Sequence, residues 1–92
     1  MSVVEYRDDD DGYLDWVAGN TNGYVINIGR TLDFNTARLH GASCRTITGE
    51  PARGSAWTDE YIKLCSPSVQ ELDDWAKRQV GTQVQRCGIC QP

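Results

Sequence analysis

One imidazole and three thiols stand in two short stretches of this chain, His40-Gly41-Ala42-Ser43-Cys44 and Cys87-Gly88-Ile89-Cys90, at spacings that suit a metal ion. Cys-x-x-Cys is the spacing at which a tight turn lets two thiolates reach one ion, and Gly88 removes a side chain where the backbone must curl. The His-x-x-x-Cys pair adds one nitrogen and one sulfur, completing a Cys3His set of the kind that closes a tetrahedral structural zinc site. Thiolate-rich sites of this type select zinc among the common cytoplasmic metals, although iron can occupy them during expression. The expectation is one structural zinc held by His40, Cys44, Cys87 and Cys90.

Other uses of these residues have to be weighed. Cys65 can replace His40 or Cys44 as the fourth ligand, but it lies in an apolar alternating stretch, and unpaired cysteine is among the most buried residue types. It is therefore placed in the core. A redox role for Cys87 and Cys90 would want the first thiol at a helix N-terminus, whereas only Gln91 and Pro92 follow here. In a secreted chain three disulfide pairings of the four cysteines would be open.

The elements that must bring these ligands together can be read from the intervening sequence. At 92 residues the chain predicts a single domain, small enough that a metal or disulfide staple is a common supplement to its core. The division expected is an acidic lead-in over residues 1–11 and one zinc-binding domain over 12–92. A short helix is predicted from about Asp11, with Tyr13, Leu14, Trp16 and Val17 as its apolar stripe and Gly19 and Asn20 at its end. Asn20-Thr21-Asn22-Gly23 is a turn signal, and Tyr24 to Ile28 is β-branched and aromatic enough for a strand. A turn at Asp33-Phe34-Asn35 then leads into a second strand, Ala37 to His40, which delivers the imidazole at its end. Residues 48–58 contain two Gly and a Pro without periodicity and read as a loop, with Trp57 as an anchor or an exposed binding residue. Tyr61 to Cys65 alternates as a third strand. A second helix follows, with Ser66 as N-cap, Pro67 at the first helical position, Val69, Leu72, Trp75 or Ala76 and Val80 on one face, and Gly81 closing it. The fold class expected is α+β: a small antiparallel sheet of about three strands with two helices, clamped by the zinc.

Charge and composition bound the function. Apolar residues at 39% and charged residues at 24% are globular values, and no apolar run is long enough for a membrane span. The N-terminus turns acidic at once and lacks the basic and apolar regions of a secretory signal, which predicts a soluble cytoplasmic protein with no membrane partner. The net charge of −4 is concentrated in residues 1–16, which carry −5, leaving +1 for the rest. Between residues 27 and 56 four Arg face only Asp33 and Glu50, a local +2. That stretch supplies a candidate binding surface of Arg30, Arg38, Arg45 and Arg53, with Trp57 and Lys63 beside it.

The ordered pattern of His40 to Arg45, a strand at Tyr61 to Cys65, a helix over Ser66 to Val80 and Cys87-Gly88-Ile89-Cys90-Gln91-Pro92 resembles the zinc-binding domain of the Ada methyl-phosphotriester repair proteins. It is most similar to the small variants that begin with His. The resemblance spans about residues 23–92 and implies a compact α+β domain around one zinc with His40, Cys44, Cys87 and Cys90 as ligands. It also implies contact with the DNA backbone. In the repair protein a zinc-bound thiolate accepts a methyl group, but His40 stands where that acceptor would be, which argues against alkyl transfer.

The function expected is thus a non-catalytic, zinc-stabilised binding module that contacts nucleic acid or a nucleic-acid-associated complex. The alternative is a protein-interaction adaptor or small regulator using the acidic N-terminus or the 48–58 loop, and a zinc-thiolate alkyl acceptor is the third reading. Catalysis is not expected: four ligands close the metal site, no paired-carboxylate or Ser-His-Asp arrangement is evident, and His40 is the only histidine.

Overall fold

A computed structural model describes residues 3–29, 31–32, 36–44, 58, 61–82 and 84–88. Five strands and two helices follow one another as β1 (Val4–Tyr6), α1 (Asp10–Gly19), β2 (Tyr24–Gly29), β3 (Arg38–Gly41), β4 (Tyr61–Ser66), α2 (Val69–Gln79) and β5 (Gln85–Arg86). The α+β class and the two helices are as the sequence predicts. The sheet is larger than expected and mixed rather than antiparallel, with strand order β1-β4-β2-β3-β5. The three central strands pair antiparallel, β1 adds to β4 antiparallel, and β5 lies parallel to β3.

Alternation along the central strands divides the side chains between two faces. Ile26, Ile28, Leu39, Ile62 and Leu64 point to one face, where Leu72 and Ala76 of α2 cover them. Val25 and Cys65 point to the other, packed with Tyr13 and Val17 of α1 and with Ala42, Cys44 and Cys87. With a helix on each side, β4 is buried from Ile62 through Ser66.

The helix starts differ from the predicted ones for local reasons. In α1 the N-cap is Asp9, two residues earlier than expected, and its side chain accepts the Gly12 N–H at 3.0 Å. In α2 the cap is Ser68 rather than Ser66. Ser66 is still in β4, paired with Tyr24, and the residue before a proline is biased to the extended conformation that a strand requires. The Ser66 hydroxyl nevertheless accepts the Ser68 N–H at 3.1 Å, tying strand to helix. At the other end Gly81 adopts φ +94, and its N–H closes onto the Ala76 carbonyl at 3.0 Å.

The N-terminal segment is attached to Thr58, three positions before β4 begins. The carbonyl of Thr58 accepts the Asp8 N–H at 2.6 Å, and its hydroxyl accepts the Asp9 N–H at 2.7 Å. Asp10 Oδ1 accepts both the Thr58 N–H at 2.8 Å and its hydroxyl at 2.6 Å. Thr58 is fully buried by these contacts. The predicted turn at residues 33–35 and the 48–58 loop, apart from Thr58, lie outside the described residues.

Candidate metal centre

The end of β3 builds the first half of the site. His40 pairs with Val25 and, alternating with Leu39, faces the α1 side of the sheet. After Gly41 the chain turns sharply: the Ala42 N–H donates to the Gly23 carbonyl at 2.9 Å, and the Cys44 N–H donates back to Gly41 at 3.0 Å. This turn folds Cys44 against His40. Gly23 allows it because a Cβ there would lie 2.8 Å from Trp16 Cη2 and 3.1 Å from the carbonyl oxygens of Asn20 and Ser66.

The second half arrives on β5. Parallel pairing sets Arg38 beside Gln85 and Leu39 beside Arg86, and the Cys87 N–H donates to the Leu39 carbonyl at 2.8 Å. Cys87 therefore emerges next to His40 at the sheet edge.

The imidazole nitrogen and the two sulfurs of His40, Cys44 and Cys87 lie within 4.8 Å of one another. All three residues are buried, at 6, 6 and 7% exposure. Donor atoms around a single tetrahedral zinc are about 3.5–3.8 Å apart, so small side-chain adjustments bring this set to coordinating distance. Two sulfurs and an imidazole, all buried, are donors of the types that zinc accepts. Burial, reinforced by the positive charges of Lys63 and Arg38, lowers the His40 pKa to about 4 in the metal-free protein. At neutral pH the ring is uncharged, the form in which imidazole coordinates.

The other residues singled out in the sequence fall differently. Cys90, Arg30, Arg45, Arg53 and Trp57 lie outside the described residues. Cys65 is fully buried on the same face of the sheet, but among the described residues it does not join the ligand cluster. Burial pushes its thiol up to about 12, with Lys63 opposing, so it remains a neutral core residue at neutral pH. Arg38 is half-buried, and one of its terminal nitrogens donates to the Ala37 carbonyl at 2.6 Å.

Lys63, which the sequence groups with surface cations, is only 3% exposed. Its ammonium sits 5.6 Å from the centroid of the Tyr13 ring. Burial lowers its pKa to about 8, against the opposing pull of Cys65 and Asp10. The signal for this placement was in the sequence: in an alternating strand, position 63 shares a face with position 65, and Cys65 is a core residue.

No protein-family model, curated protein or solved structure matches this chain. The likeness to Ada-type domains rests on the motif residues alone. No described helix is long and apolar enough to cross a membrane.

Proposed function

We propose that this protein is a non-catalytic binding module whose fold is fixed by one structural zinc held by His40, Cys44, Cys87 and Cys90. The observation that carries the reading is the buried convergence of His40, Cys44 and Cys87 from a strand end, a tight turn and an edge strand. Elemental analysis of protein purified under reducing conditions tests it: one zinc per chain, lost or weakened in His40→Ala and retained in Cys65→Ser. Absence of metal from the intact protein refutes it.

The partner supported best is a protein with a basic surface. Asp8, Asp9, Asp11 and Asp15 are exposed along the N-terminal side of α1, while Lys63 is withdrawn from the surface. The second reading, contact with nucleic acid or a nucleic-acid-associated complex through Arg30, Arg38, Arg45, Arg53 and Trp57, is supported by the local +2 between residues 27 and 56. A gel shift at low salt separates the two. Binding that weakens with salt and with Arg38→Ala or Arg53→Ala favours nucleic acid, and no shift with a pull-down that depends on residues 8–15 favours protein.

A further inference from the structure

Among the described residues the free thiols are Cys44, Cys65 and Cys87, and the fold treats them differently. Cys65 is fully buried and stands outside the ligand cluster, whereas Cys44 and Cys87 keep 6 and 7% exposure and their sulfurs lie within 4.8 Å of each other. Both are brought together by backbone contacts. The Cys44 N–H donates to the Gly41 carbonyl at 3.0 Å in a turn pinned to Gly23, and the Cys87 N–H donates to the Leu39 carbonyl at 2.8 Å just after β5. A disulfide needs its sulfurs about 2.05 Å apart, and rotation about the two Cα–Cβ bonds between staggered positions is the motion that closes the remaining gap with both backbone anchors in place. The sequence alone pairs Cys87 with Cys90 in its redox reading; the topology gives Cys87 a second partner, far upstream, that no spacing reveals.

A sulfur bonded to another sulfur has no thiolate to offer an ion, so a bond between these two and a metal shared by them exclude one another. We propose that Cys44 and Cys87 form a redox pair: in the metal-free protein hydrogen peroxide joins them in an intrachain disulfide, which keeps metal out until a thiol reductant opens it. One thiol attacks the peroxide, becoming a sulfenic acid and releasing a first water. The second sulfur then attacks that sulfur, forming the S–S bond and expelling the hydroxyl group as a second water. The pair is oxidised by two electrons and gives up both thiol hydrogens; the peroxide is reduced and carries them away in the two waters. A metal bound to both sulfurs occupies the same electron pairs and protects them. The exclusion of metal rests on the zinc reading above; the pairing of the sulfurs does not.

The test uses the full chain, purified under reducing conditions, with its zinc content measured first. Hydrogen peroxide is added with and without a chelator, remaining thiols are capped with N-ethylmaleimide in denaturant, and the linkage is read by mass spectrometry of a non-reducing digest. The expected product is a single chain lighter by two hydrogens, with Cys44 joined to Cys87 and with Cys65 and Cys90 capped. Dithiothreitol reverses the bond, Cys90→Ser still forms it, and the oxidised chain takes up no zinc until it is reduced. Free zinc at 100 times its dissociation constant slows the oxidation about 100-fold, because it leaves about one chain in 100 metal-free. The linkage is read in the wild type, so the outcome does not depend on a variant that folds. A wild-type bond from Cys87 to Cys90, a bond to Cys65 or to a second chain, or no bond at all overturns the pairing, and zinc held by the oxidised chain overturns the exclusion. A chain that joins Cys44 to Cys87 yet binds no zinc when reduced upholds the pairing and overturns the zinc reading instead.

Discussion

The pH dependence of zinc binding should carry the signature of a buried, already neutral imidazole. Cysteine coordinates as thiolate, so each sulfur that binds releases one proton, and the proposed set of Cys44, Cys87 and Cys90 releases about three. Apparent affinity should then rise about three log units per pH unit, or about 4 kcal/mol per pH unit at 1.36 kcal/mol per log unit. An imidazole with its ordinary pKa of about 6.5 would add a fourth proton below that pH. His40 should not, since its metal-free pKa is about 4. Over pH 6.5 to 5 the two cases diverge by about 1.5 log units in affinity, well within the resolution of a chelator competition. A slope steepening to four below pH 6.5 would refute the buried neutral His40, and a slope near two would remove one sulfur from the ligand set. Full affinity in His40→Ala would remove the imidazole. The metal-free fold should show the matching effect. Because the folded pKa lies below the unfolded one, the unfolded chain binds more protons between pH 6.5 and 4. Stability contributed by His40 is therefore present above pH 6.5 and is lost as pH falls to 4, at up to about 1.4 kcal/mol per pH unit.

Three further outcomes are expected. Free zinc at 100 times its dissociation constant should stabilise the domain by about 2.7 kcal/mol. For a domain of this size that corresponds to a Tm roughly 10–20 °C higher than in chelator, checked by a thermal melt. Gly23→Ala should cost about 1–3 kcal/mol in urea unfolding, because two of the three atoms its Cβ meets are backbone oxygens that have little room to move. It should also weaken zinc binding, since the Gly23 carbonyl anchors the turn between His40 and Cys44. Leu72→Ala, on the opposite face of the sheet, should cost about 2–5 kcal/mol while leaving one zinc per folded chain, and loss of metal from its folded state would contradict the separation of the two cores.

The parts of this fold that were legible in the sequence are those long enough to display a period. Tyr24–Gly29, Tyr61–Ser66 and the helix over Val69–Gln79 each carry an apolar pattern on a recognisable face. β1 and β5 span three and two residues, too few for alternation to register, and what defines them is pairing with β4 and β3. The ligand types and spacings identified His40, Cys44 and Cys87 as a group, because metal chemistry restricts donors more tightly than packing restricts apolar residues. What the spacing did not reveal was how Cys87 gets there: a parallel edge pairing is non-local and leaves no mark on the intervening sequence. Lys63 was misplaced by residue type, since lysine is almost always a surface residue and only its strand position argued otherwise.

The bonds that hold Thr58 give the chain an architectural joint. Cys44 is fixed in the turn after β3 and Thr58 on the first turn of α1, so the 13 residues from 45 to 57 connect two anchored positions. Doubling the length of such a connection adds only about 0.6 kcal/mol of closure cost. Lengthening the connection between these two anchors therefore adds little to the entropy cost of closing the chain.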